Sequence, residues 1–394
     1  MAVNGIKQTF GQYGFEQNFG SNLVVPATYI IYYNPDNQLY YAEPSRERDD
    51  LQMITGTNAA LVIQSAINAL PSGGGKIFIK NGTYNLGANG LTIASTFNGE
   101  LIIEGEAMKN YYNGGTSIES TVNGSILDKL GTTAGGRLWL KNLRFKHTTP
   151  ASGLTTLDLM YINAFLENVM VWDAGTRAGT GIKAGPTAME STVVWNHVHS
   201  EGFAICFDLS VDHLIGIGMS AAYPSNRGFY IHDCWEVQLI EPHVFQPTQS
   251  SVFAFYFDYV YGNSVLISPW LEKASGADCT MFKHLNVRGN VQIIGYMKPA
   301  QDPLYDPTFN KGLYFVGDND EGTATITAGN TSVTVSHRCS IANATYAIIL
   351  TPTSDTGGKR YWISEKTSST FTISIDSAYT SNITFDWVMQ RIPS

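Results

Sequence analysis

Residues 58–86 read NAALVIQSAINALPSGGGKIFIKNGTYNL. Thr57 and Asn58 can cap a helix, and Leu61, Val62, Ile63, Ala66, Ile67 and Leu70 then give it one broad apolar face. Pro71 cannot continue a helix, so the pattern predicts one over residues 58–70. The Gly-rich turn SGGG, the strand KIFIK, a turn at Asn81-Gly82 and the strand TYNL follow. A short amphipathic helix leading into Gly-rich strands suits a lid over the open end of a stack of strands. Left uncovered, such an end would present unpaired backbone groups.

Beyond this stretch the chain repeats. The segments LWLKNLRFKH, AFLENVMVWD, TVVWNHVHSE, LIGIGMSAAY, VQLIEPHVFQ, VLISPWLEKA and VQIIGYMKPA align on Asn142, Asn168, Asn196, Gly218, Glu241, Pro269 and Gly295. Their spacing, roughly 22 to 28 residues, is that of one supersecondary unit stacked on the next. Alternation within each segment marks strands with one face in a core. A second series, FAICFD, FYIHD, FAFYFD, MFKHLN and LYFVGD, ends on Asp208, Asp233, Asp258, Asn286 and Asp318. Two strands and a variable loop per turn describe a parallel β-helix. After about residue 319, GTATITAGNTSVTVSH, TYAIILTP, KRYWISEK, TFTISI and ITFDWVMQ alternate cleanly with turns between them, an antiparallel pattern.

The fold expected is therefore all-β: a right-handed parallel β-helix (solenoid) with an N-terminal capping helix and a C-terminal antiparallel β-sandwich-like domain. Residues 1–56 read as an aromatic, irregular N-terminal region or linker, 57–318 as the β-helix and 319–394 as the C-terminal domain.

The 394-residue chain has a formal net charge of −9, with 43% hydrophobic and only 14% charged residues. Low charge with 38 Gly, 21 Tyr and 19 Phe suits strands and tight turns better than helices. The acidic balance argues against nucleic acid as a partner, because phosphate binding needs clustered Lys and Arg. No run of about 18 apolar residues is present, so no membrane insertion is expected. The opening MAVNGIKQTF lacks the apolar core of a signal peptide. Cys206, Cys234, Cys279 and Cys339 show no CxxC spacing and read as buried free thiols.

The stretch 58–86 resembles the opening motif of pectate-lyase-like β-helix proteins: helix, Gly-rich turn, strand, Gly-Thr-Tyr turn. GTATITAGNTSVTVSH and KRYWISEKTSSTFTISI look like a module of viral tail-spike proteins. The resemblance implies a spike on a virion surface or in an extracellular setting, often a homotrimer, that binds or cuts glycans. That family holds lyases, glycoside hydrolases, esterases and inactive binders, so fold alone does not fix the reaction. The lysine or arginine constellation around calcium that marks its lyases is not recognisable here.

In a β-helix, equivalent places on successive turns form files spaced ~4.8 Å apart. Five residues after each alignment point come His147, Asp173, Glu201, Tyr223, Gln246, Ala274 and Ala300. On this alignment Asp173 and Glu201 are neighbours, roughly 5 Å apart, near the separation of a retaining glycosidase pair. They are the expected catalytic carboxylates of a polysaccharide depolymerase. Trp172 and Tyr223 would stack on sugar rings, His147, His199 and Gln246 would bond hydroxyls, and Glu272 is an alternative acid. Two further readings stand beside this one: a polysaccharide lyase with His147 or Tyr223 as base, and a non-enzymatic glycan-binding spike. The Asp208, Asp233 and Asp258 series reads first as turn residues bonding the backbone. Calcium held by that series is the minority reading, and no other cofactor is expected.

Overall fold

The computed structural model describes residues 9–10, 15–16, 27–45, 50–108, 115–149, 154–174, 178–185, 192–247, 252–272, 279–285, 291–294, 313–316, 320–337 and 346–391. Its centre is a parallel β-helix of about seven turns. One long sheet and one eight-stranded sheet face each other across the core.

The helix forms over Ala59–Asn68, and the Asn58 side chain accepts from the Ala60 and Leu61 amides at 2.8 and 3.3 Å. It buries Ala59, Ala60, Val62, Ile63 and Ala66. Leu61, expected on the apolar face, is 65% exposed instead. The Gly74–Ile79 strand then enters the long sheet. The N-terminal region is more regular than its sequence suggests. Tyr29–Asn34 and Leu39–Pro44 form an antiparallel pair, and Tyr29–Ile31 lie parallel to Ile77–Ile79. The long sheet therefore begins before the helix. Residues 1–8 lie outside the described residues.

Stacking is in register from turn to turn. In the long sheet one inward file runs Ile77, Ile103, Leu140, Leu166, Trp195, Gly216, Leu239, Leu266, Ile293. The bulk of Trp195 is matched by Gly216 beside it, and its indole N–H donates to the Ala164 carbonyl at 2.9 Å. Across the core, a file of the eight-stranded sheet runs Leu91, Leu127, Leu157, Ile182, Phe207, Phe229, Phe255, Phe282, all fully buried. Its upper half is a ladder of rings with centroids 4.7, 5.1 and 5.5 Å apart. Stacked offset rings add stabilisation beyond their buried area.

The long sheet bends along one file of left-handed residues: Asn142 (φ 55), Asn168 (φ 52), His197 (φ 51), Gly218 (φ 59), Glu241 (φ 52) and Ser268 (φ 51). Asn168 donates from Nδ2 to Asn142 Oδ1 at 3.1 Å, one turn to the next. This file corrects the alignment read from sequence at two places. His197 and Ser268 hold the bend, not Asn196 and Pro269.

The Asp series is corrected as well. Asp208 stands in file with Lys183, Tyr230 and Tyr256, while Asp258 pairs with His232. The three aspartates share no file, so they form no carboxylate ladder for calcium. Asn286 and Asp318 lie outside the described residues. Among those described, no group of His, Cys, Asp and Glu is placed to hold a metal ion. Cys206, Cys234 and Cys279 are buried free thiols. No described helix is long and apolar enough to cross a membrane.

Residues 320–391 build two three-stranded antiparallel sheets. They enclose a core of their own around Ile326, Tyr346, Phe371, Ile373, Ile383 and Phe385. The Tyr346 hydroxyl donates to backbone carbonyls, and His337 lies 3.2 Å from it, so that histidine is structural.

Truncating a rung of the ring ladder leaves a cavity that its stacked neighbours cannot fill. Phe229→Ala should lower stability by about 3–5 kcal/mol in denaturant unfolding, whereas Leu61→Ala on the exposed helix face should cost less than about 1 kcal/mol.

Candidate functional site

The register decides which side chains meet on the outer face of the long sheet. Phe145, Val171, Ser200, Ala221, Val244 and Leu271 form a buried inward file. Successive residues of a strand leave opposite faces, so the places on either side of that file point outward. One outward file reads Arg144, Met170, His199, Ser220, His243, Trp270. The other reads Lys146, Trp172, Glu201, Ala222, Phe245, Glu272.

Glu201 is thus the register partner of Trp172, not of Asp173. One place further on, Gly202 lies against Asp173. A Cβ built on that glycine would stand 3.7 Å from the Asp173 Cβ. Asp173 and His147 are register partners in the inward phase, 4% and 2% exposed. Both His147 ring nitrogens are buried without a hydrogen-bond partner, and burial holds its pKa below the usual value. The expected Asp173–Glu201 pair is therefore not assembled, and neither Asp173 nor His147 opens on the outer face. A one-residue slip of register moves a side chain to the other side of a sheet.

The other expected residues gather on that outer face or at its edge. Glu201 is 7% exposed, and burial raises its carboxyl to about 7. Its Oε2 lies 3.0 Å from His199 Nε2. The other ring nitrogen, Nδ1, lies 2.6 Å from Ser220 Oγ. Burial, with His243 nearby, lowers His199 to about 4, so the ring is neutral around neutral pH. Lys146 stands 4.4 Å over the Trp172 ring. Tyr223 sits edge-on to Phe245 with centroids 5.5 Å apart. Its backbone (φ 53) and that of Gln246 (φ 41) mark a second left-handed bend where the face ends. Glu272 shares the file of Glu201, three steps away, which at ~4.8 Å per step is about 14 Å. Ala274 and Ala300 lie outside the described residues.

Sequence reading did not single out Ser220, His243 and Trp270. Ser220 lies between His199 and His243 in one file. His243 meets Phe245 edge-on and Trp270 at a tilt, and its Nε2 is buried without a hydrogen-bond partner. Trp270 is 47% exposed. The signal that would have found them is the left-handed bend at His197, which sets His199 opposite Ser220. On the opposite sheet His232 lies between Asp208 and Asp233 at 2.6 and 2.9 Å, and Arg227 covers Tyr230 and Tyr256. The His232 ring is engaged by two carboxylates and Arg227 by two rings, whereas the long-sheet face holds aromatic surface and a protonatable carboxyl together.

No family model matches the sequence, and no curated protein matches it. Solved viral structures are similar to the chain at low identity. Geobacillus virus E2 ORF18 is 13% identical, with 86% of this chain and 76% of that one covered and a TM-score of 0.38. The tailspike of Acinetobacter baumannii phage AM24 is 10% identical, covering 98% and 91%, with a TM-score of 0.39. Tailspike gp49 of Acinetobacter baumannii phage Fri1, described as a capsular polysaccharide depolymerase, is 9% identical, covering 85% and 83%, with a TM-score of 0.34.

A buried acid whose pKa is raised from 4.5 to about 7 binds its proton more tightly folded than unfolded, so it costs stability as pH rises through that window. Glu201→Gln removes the charge and keeps an acceptor for His199. Relative to wild type, the variant should gain about 1–3 kcal/mol between about pH 5 and pH 8, read from paired thermal melts.

Proposed function

We propose that the protein lays a long polysaccharide along the outer face of its long sheet and hydrolyses it, with Glu201 as proton donor. The observation that carries this reading is a carboxyl held near pKa 7 by burial on a face edged with aromatic rings. A general acid works best when its pKa lies near the operating pH. Trp172, Trp270, Phe245 and Tyr223 offer apolar surface to the C–H faces of sugars, while Gln246 and Glu272 offer hydrogen bonds at its margin. Protonated Glu201 would donate to the glycosidic oxygen as the bond to the anomeric carbon breaks. Water would then bond to the anomeric carbon and return its proton to Glu201, leaving a new reducing end and a free hydroxyl on the departing sugar.

The register also favours a second reading, a glycan-binding spike without catalysis. Glu272, at about 14 Å, is too far from Glu201 for either carboxylate geometry of glycosidases, which span roughly 5 to 9.5 Å. The setting proposed for both readings is a virion surface or extracellular space, with the chain as a homotrimer. It is supported by the resemblance of the C-terminal segments to a module of viral tail-spike proteins, beside that of residues 58–86 to pectate-lyase-like β-helix proteins.

Incubation with a panel of bacterial capsular polysaccharides separates the readings. Hydrolysis predicts new reducing ends without absorbance from unsaturated products, a rate that falls as pH rises past about 7, and a loss of about 100-fold or more in kcat for Glu201→Gln. Reducing ends accompanied by that absorbance would mean a lyase. Binding with neither product would leave the spike reading, and sedimentation of the full chain tests the trimer.

A further inference from the structure

We propose that Ser220, His199 and Glu201 form a nucleophile–base–carboxylate relay that removes small acyl esters, such as acetyl groups, from sugar hydroxyls of a bound glycan. The identity of the carrier rests on the glycan reading above; the relay itself rests on geometry.

The register of two adjacent strands builds it. His199 and Ser220 are register partners on adjacent strands, so the ladder sets them side by side. Glu201 follows His199 by two residues and shares its face. Ala222 follows Ser220 by two and is the register partner of Glu201. The resulting chain runs from Ser220 Oγ to His199 Nδ1 at 2.6 Å and from His199 Nε2 to Glu201 Oε2 at 3.0 Å. That is the arrangement by which a hydroxyl is activated: a base in reach of the nucleophile, oriented in turn by a third group. An ionised Glu201 accepts from Nε2–H, which fixes the tautomer and leaves the Nδ1 lone pair to accept from Ser220.

In the reaction, Ser220 gives its proton to Nδ1 as Oγ bonds to the acyl carbon. Collapse of the tetrahedral intermediate breaks the bond between acyl carbon and sugar oxygen, and Nδ1–H protonates that oxygen. Water then attacks the acyl-serine, passing its proton through the same nitrogen, and Ser220 leaves as the hydroxyl. The balance is ester plus water to carboxylic acid plus sugar hydroxyl. His243 stands next to Ser220 in the same file.

The full-length protein would be treated with a fluorophosphonate, digested and mapped by mass spectrometry. In parallel, acetate release would be followed from an O-acetylated xylan and from 4-nitrophenyl acetate. The expected result is one adduct, on Ser220, and esterase turnover that falls about 1000-fold or more in Ser220→Ala and His199→Ala. Unchanged melting temperatures would show those variants folded. Turnover should rise as pH climbs through about 7, opposite to glycosidic cleavage by protonated Glu201. No adduct on Ser220 of the wild-type protein, or an adduct elsewhere, overturns the proposal whatever the variants do. Reducing ends measured on the same glycan keep the readings apart. Acetate without reducing ends sustains the relay and removes chain cleavage; reducing ends with an unlabelled Ser220 do the reverse.

Discussion

The whole arrangement depends on the in-register parallel ladder, whose long sheet bends along one file of residues in the left-handed conformation. For a residue with a Cβ that conformation costs on the order of 1 kcal/mol or more. Five of the six residues holding the bend carry a side chain, Gly218 being the exception. Such strain persists only where the surroundings over-determine it. Here the ladder hydrogen bonds on both sides and the buried files of Leu, Ile, Val and Phe do so. The bend turns the chain, and it also sets the phase of alternation after it. Every outward side chain from His199 to Glu272 takes its face from the residue that holds the bend.

This explains what could and could not be read from sequence. The capping helix was legible because its signals are local: a capping side chain at Asn58, an apolar face and a proline stop. The stacked turns were legible from spacing and alternation, and the C-terminal sheets from alternation between turns. The site was not, because its key signal is a backbone dihedral rather than a residue type. Asn, Asn, His, Gly, Glu and Ser all hold the same bend. An alignment on Asn196 takes asparagine, which tolerates positive φ, in place of its neighbour His197, the residue that holds the bend. That slip of one residue put Glu201 beside Asp173 and hid Ser220 behind the wrong partner. Trp172, Tyr223, Gln246 and Glu272 stayed near the face because their own turns were aligned correctly or lay at its edge.

The aspartates of the second series show the same effect. Their spacing matches the repeat, yet Asp233 sits at a left-handed residue three places after Tyr230, the register partner of Asp208. Asp208 therefore has Tyr230 on one side and Lys183 on the other. Earlier in the same file Asp128 and Asp158 stand one step apart, and burial with the Asp158 charge raises the Asp128 carboxyl. Equal spacing in sequence thus does not tell which acids share a file.

The same physics makes one carboxyl suited to two chemistries. Burial raises Glu201 to about 7 and lowers His199 to about 4, two opposite shifts in groups that touch. Relative to the ordinary values of 4.5 and 6.5, folding takes up a proton at Glu201 and gives one up at His199 over the shared window, so their linkage to stability nearly cancels there. In that window both groups are neutral and the carboxyl holds its proton. Above about pH 7 the carboxyl ionises beside a ring that is already neutral, and the hydrogen bond between them must then run from Nε2–H to the carboxylate. Protonated, Glu201 is an acid facing the sugar-binding surface; ionised, it orients a base toward Ser220. A shift of about one pH unit exchanges these states without moving a backbone atom, because the ladder holds all three side chains in place.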